Sequence, residues 1–139
     1  MEVRDAGRLE VLSPDECRRL LAEQEIGRLA LPTGGTPEIF PVNYAVSDDD
    51  IVFRTDEGLK LTLAERGRVA FEVDGIDTEA REGWSVVIKG RAEEVTVHNK
   101  PALRERVSTL ALYPWAQGDR GHWVRIVPTQ VSGRRITHR

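Results

Sequence analysis

Phe40-Pro41-Val42-Asn43-Tyr44-Ala45-Val46, Asp48-Asp49-Asp50, Ile51-Val52-Phe53-Arg54-Thr55 and Asp56-Glu57-Gly58-Leu59-Lys60-Leu61 follow one another with only Ser47 between the first two. The run reads as an apolar strand, a tight acidic turn, a second strand and a glycine-containing loop that brings Lys60 to a helix start. Arg54, Thr55, Lys60 and the helix-start amides could meet in one small volume, a donor set that suits a phosphate dianion. A hairpin end followed by a solvated helix reads the same residues equally simply. Phe40, Val42 and Tyr44 fall on one strand face, Pro41 and Asn43 on the other. Pro41 cannot donate to a ladder and marks an edge or an irregularity.

Outward from this hairpin the pattern stays mostly β. Arg28–Leu31 is a short strand, and Pro32-Thr33-Gly34-Gly35-Thr36-Pro37 is the turn that returns it into Glu38–Val46. Arg68–Asp74 alternates, with Val69, Phe71 and Val73 on one face. Trp84–Val97 is a long strand in which Gly90 signals a bulge or a close backbone approach. His122–Val127 and Thr129–Ile136 read as two strands broken at Pro128. Ser13-Pro14-Asp15-Glu16 is a capping box with proline in the first turn of a helix that puts Cys17, Leu20 and Leu21 on one face. A second short helix is expected from Leu59 to Arg66, ended by Gly67. A third is expected after an Asn99 cap, with Leu103, Val107, Leu110 and Ala111 as its stripe and Pro114 as its stop. About seven mostly consecutive strands and two or three short helices describe a mainly β protein, a closed or nearly closed antiparallel barrel with helices plugging its ends. Residues 1–12 are expected to be a flexible N-terminal segment, 13–136 a single domain and 137–139 a tail.

Composition narrows the function classes. With 139 residues, one core is affordable and one domain expected. The net charge of −3 offers no basic surplus for nucleic acid or an anionic membrane, apart from a small basic tail from Arg134 to Arg139. No run is long enough to cross a bilayer. The single cysteine excludes an internal disulfide and fits a reducing cytoplasm. His98, His122 and His138 lack metal-ligand spacing, so no metal site is expected. No serine elbow and no Gly-x-Gly-x-x-Gly appear. No side chain presents itself as a catalytic acid or base. Trp84, Trp115 and Trp123 could cover a flat ring, or simply fill a core. Trp115 lies in loop sequence, Pro114-Trp115-Ala116-Gln117-Gly118-Asp119, where a lid or interface role is plausible.

Taken in order, several segments resemble the pyridoxamine 5'-phosphate oxidase-like family of flavin-binding split β-barrels. They are Ile26-Gly27-Arg28-Leu29-Ala30, Ile39-Phe40-Pro41-Val42-Asn43-Tyr44, Ile51-Val52-Phe53-Arg54-Thr55, Gly58-Leu59-Lys60, Val69-Ala70-Phe71-Glu72-Val73-Asp74 and Trp84-Ser85-Val86-Val87-Ile88-Lys89-Gly90. The resemblance runs from about Ser13 to Ile136 and is similar to the small actinobacterial-type members. It implies FMN as cofactor and a homodimer with two flavins at its interface. Arg54, Thr55 and Lys60, with Leu61 beside them, would hold the flavin phosphate. Pro41, Val42 and Asn43 would run along the ring, and Trp84, Ser85 and Val86 would approach it from the long strand. Trp115 and Trp123 would be supplied across the interface. The family's Arg-x-Val-Leu-Leu-Lys motif and its C-terminal Arg-Leu-His-Asp-Arg segment are replaced here by Phe40–Tyr44 and by Gly133-Arg134-Arg135-Ile136-Thr137-His138-Arg139, so vitamin B6 oxidation is not implied. The function expected is a cytoplasmic flavin-dependent oxidoreductase acting on a small molecule, with no nucleic-acid or membrane partner. Two alternatives stay open: a deazaflavin-dependent reductase on the same fold, and a non-enzymatic flavin or haem binding protein.

Overall fold

Strand alternation decides the inside of this molecule. In the computed structural model, which describes residues 6–110, 112 and 121–138, the elements are β1 (Arg8–Val11), α1 (Pro14–Leu21), β2 (Ile26–Thr33), β3 (Thr36–Ser47), β4 (Asp50–Thr55), α2 (Glu57–Arg66), β5 (Arg68–Asp77), β6 (Glu82–Val95), α3 (Pro101–Ser108) and β7 (His122–Thr137). The strands lie in the order β1-β7-β4-β3-β2-β5-β6, and β6 pairs back onto β7. Every pairing is antiparallel, so the sheet closes into the expected barrel. Leu29, Ile51, Phe53, Phe71, Val73, Val86, Ile88, Val124 and Ile126 fill its interior. Phe40 and Val42 pack against that core and Tyr44 is buried within it, edge-on to Phe71 with ring centroids 5.2 Å apart. The Tyr44 hydroxyl donates to the Leu21 carbonyl, which ties α1 over the barrel.

A second apolar cluster lies on the other side of β4 and β7. Val52, Val95 and Trp123 pack there against Leu103, Val107 and Leu112, so α3 covers the outer wall. The apolar stripe read for this helix holds at Leu103, Val107 and Leu110, while Ala111 and Pro114 lie outside the described residues.

Four local readings change. Arg8–Val11, expected within a flexible start, adds β1 to the C-terminal half of β7, with Leu9 opposite Ile136. The strand expected at Arg28–Leu31 runs from Ile26 to Thr33 because β3 pairs with it along that whole length, whereas β5 pairs only with Arg28–Ala30. Asn99 does not cap α3. Its carboxamide oxygen accepts from the Thr96 amide at 2.9 Å, and Lys100 holds the cap position without a side-chain bond.

The fourth change concerns β7, which is one strand rather than two. Lys89 pairs with Gln130 but Gly90 pairs with Pro128, so Thr129 is the extra residue of a bulge. Before it the inward residues of β7 are even-numbered, Val124 and Ile126; after it they are odd-numbered, Val131 and Gly133. That phase flip, together with a proline that cannot donate, imitates a strand break in the sequence. Gly90 is needed at this point, because an added Cβ would stand 2.3 Å from the Val127 carbonyl oxygen.

Candidate functional site

The β4–α2 junction places the first group of residues. Asp56 ends β4 and caps α2, its carboxylate accepting from the Leu59 amide at 2.9 Å. The helix therefore starts at Glu57, two residues earlier than the sequence suggests. The Lys60 amide already bonds the Asp56 carbonyl at 3.1 Å. By helix geometry the amides of Glu57 and Gly58 are the ones left without an intrahelical acceptor. Thr55 is buried, on the inward phase of β4 with Ile51 and Phe53. Lys60 Nζ lies 3.1 Å from Glu57 Oε1. His122, opposite Thr55 on β7, reaches Glu57 Oε2 with Nε2 at 2.6 Å and Glu94 Oε2 with Nδ1 at 2.9 Å. The Lys60 ammonium, and after it His122, holds the Glu57 carboxyl below its ordinary range. Leu61, on the next position of α2, is exposed.

Arg54 does not share that side. Alternation turns it to the outer face of β4, where its guanidinium lies 5.4 Å from the Trp123 ring centroid and Arg104 lies 5.6 Å from the same ring. Trp123 is 7% exposed, so within one chain its ring is committed to the cluster beneath α3. Extending the Tyr44–Phe53 register by one residue sets Asn43 across from Arg54. Pro41, Asn43 and Arg54 therefore share the outer face, and Val42 points inward beside Gly27. Gly27 admits no side chain, since a Cβ there would lie 2.2 Å from the Phe71 ring.

The far end of β6 carries the rest. Trp84 and Ser85 border a cavity of about 530 Å³, with Glu72, Asp74 and Arg134 also in its wall. Val86 is wholly buried in the core. Arg28, on the neighbouring strand, lies 3.5 Å from Glu72 and 3.4 Å from Asp74. Among the described residues Glu72 Oε1 is enclosed without a hydrogen bond. Burial, reinforced by Asp74, pushes its carboxyl up to about 7 despite Arg28.

The residues singled out in the sequence thus divide within one chain between the Thr55–Lys60 mouth, the outer face at Arg54 and Trp123, and the Trp84–Ser85 end of β6. Ser85 and Glu94 are nine residues apart on β6, which at strand spacing separates the two ends by about 30 Å. Trp115 lies outside the described residues. His122, Glu94, Glu57 and Glu72 were not singled out as site residues. His122 stood only as a scattered histidine and Glu72 only as part of a strand; the nearest signal is that His122, Glu94 and Glu72 are titratable residues in strands, while Glu57 stands in the first turn of α2.

Comparison with known proteins agrees with this architecture. Residues 13–135 match the pyridoxamine 5'-phosphate oxidase family. An uncharacterized protein of Mycobacterium tuberculosis is 37% identical over 131 residues, spanning 90% of this chain and 84% of its own. The solved structure of an FAD-binding protein from Mycobacterium smegmatis is 37% identical with a TM-score of 0.77, covering 92% of this chain and 98% of its own. That of an FAD-binding protein from Mesorhizobium loti is 29% identical with a TM-score of 0.74, covering 95% and 99%. The chain belongs to the pyridoxamine 5'-phosphate oxidase family, and its barrel is the split barrel that these relatives share.

Proposed function

Starting from that family membership, we propose that the chain binds a flavin nucleotide between two copies of itself and uses it for redox chemistry on a small molecule. The observation that carries the reading is the likeness, across 92% and 95% of the chain, to two FAD-binding proteins. The flavin phosphate would lie at the barrel mouth, where Thr55, Lys60 and the first turn of α2 converge. The ring would lie along the outer face at Pro41 and Asn43, beside Arg54. A bound flavin would supply hydride or electron transfer, while the chain's residues bind it, orient it and exclude water. FMN is the cofactor expected from the sequence. FAD is a second reading, favoured by the two relatives named above; the phosphate is common to both.

Two copies are part of the proposal. The Trp84–Ser85 end and the Lys60 end lie too far apart within one chain to share a single ring, so one end must come from each copy. Exposed apolar residues near the far end, Leu9, Val11 and Ile76, are 59%, 86% and 73% accessible and would gain cover in such an assembly.

The test is the small molecule released from the purified protein, identified by mass and by its visible spectrum. Release of FMN or FAD, or tight rebinding of either by stripped protein, is the expected outcome. A deazaflavin would replace the cofactor while keeping the site. Failure of stripped protein to bind any of the three would overturn the reading.

A further inference from the structure

The barrel mouth holds a polar cluster in which one carboxylate spans an ammonium and an imidazole. Glu57 contacts Lys60 Nζ at 3.1 Å through one oxygen and His122 Nε2 at 2.6 Å through the other. His122 Nδ1 faces Glu94 at 2.9 Å. His122 thus bridges two carboxylates, one at each ring nitrogen. A two-oxygen anion therefore already sits where Lys60 and His122 converge.

We propose that Lys60 and His122 together form the phosphate-binding pair of the flavin site, and that Glu57 fills their anion position until the phosphate displaces it. This rests on the flavin-nucleotide reading above. Glu94 is a positioning residue. It holds Nδ1 and so aims Nε2–H out of the barrel mouth at the anion.

The cluster is built unevenly, and that decides which member moves. The side chains of Lys60, His122 and Glu94 are 20%, 29% and 31% exposed, against 60% for Glu57. Glu57 is the first residue of α2, so its side chain can swing into water without disturbing the helix. Exposed ion pairs are weak, and little is lost when this one opens. A phosphate brings more charge and three acceptor oxygens to the same two donors. It also faces the first-turn amides of Glu57 and Gly58, which favour an anion. Thr55 is buried opposite His122 in the β4–β7 register. Of the other charged groups nearby, Asp56 is engaged in capping α2 and Glu93 lines the wall beside Lys60, while Arg54 and Arg104 are turned to the outer wall against Trp123.

Binding of FMN, FAD and riboflavin to stripped protein, followed by flavin fluorescence, tests the assignment. Glu57→Gln removes the internal competitor at a surface position. It should tighten FMN or FAD about twofold to fivefold and leave riboflavin unchanged. A gain for FMN alone identifies a terminal phosphate, and a gain for both a phosphate shared with FAD. His122→Gln removes the imidazole held between Glu94 and the anion position, and should weaken the same ligands about tenfold while sparing riboflavin. The proposal is overturned if Glu57→Gln leaves FMN and FAD affinities unchanged or lowers them while wild type still prefers them to riboflavin; the phosphate then sits elsewhere and the flavin reading stands. If wild type binds none of the three flavins, the flavin reading falls and this proposal with it.

Discussion

Gly90→Ala should be among the most damaging single-methyl changes in this chain. The new Cβ would stand 2.3 Å from the Val127 carbonyl oxygen, 3.0 Å from Val127 C and 3.1 Å from Pro128 Cα. All three are backbone atoms, so no side chain can rotate away. Relief requires β6 and β7 to separate by more than an ångström at the bulge, where Pro128 already supplies no donor. Overpacking of this kind costs about 1–3 kcal/mol, and the backbone character of the obstacle places Gly90→Ala at the upper end. For a chain of this length that corresponds to a fall in Tm of roughly 6–12 °C. Thermal unfolding followed by circular dichroism measures it. Gly34→Ala is the control: a Cβ there meets nothing within 4 Å, and the only penalty is its φ of 59°, about 1 kcal/mol. If Gly90→Ala melts within about 2 °C of wild type, or no lower than Gly34→Ala, the bulge is not the tight approach described and the reasoning fails.

Lys60→Ala should weaken FMN about tenfold or more, the usual worth of a charge-assisted hydrogen bond, and affect riboflavin much less; equal losses would place Lys60 in folding or at the ring. Light scattering at micromolar concentration should give twice the mass of the 15.6 kDa chain, and a monomeric mass would refute assembly of the site from two copies. Glu72→Gln should flatten the pH dependence of stability. The Glu72 carboxyl is raised from its ordinary 4.5 to about 7, so its contribution to stability is complete below pH 4.5 and is lost as pH rises through 7. At pH 8 the variant should gain about 1 kcal/mol once solvent screening is allowed for, and parallel melting profiles for the two proteins between pH 5 and 8 would contradict it.

Features legible in the sequence are those that a few neighbouring residues decide. The capping box is one: the Glu16 amide donates to Ser13 Oγ at 3.2 Å, and the Glu16 carboxylate accepts from the Ser13 amide at 3.4 Å. The Asp48–Asp49 hairpin turn, the apolar stripe of α3 and the warning at Gly90 are others. Each rests on a local period or on a backbone need that one residue type meets. Thr55 and Lys60 could likewise be placed together, because they are five residues apart across one strand-to-helix junction.

Tertiary structure decided what those residues face. Alternation assigns a side chain to a face of its strand but names no neighbour across the sheet. It could not tell that β7 runs between β4 and β6, which brings Arg125 to Asp50 at 3.0 Å from 75 residues away and His122 to Glu94 from 28. Nor could it separate Arg54 from Thr55, since the direction in which each face points depends on the closure of the barrel. Trp123 became a buried wall residue only because α3 folds over it, and Glu72 acquired its raised carboxyl only because Asp74 and an enclosing sheet surround it. The partner of a charge is set by long-range strand register, and register is a property of the closed barrel rather than of any segment within it.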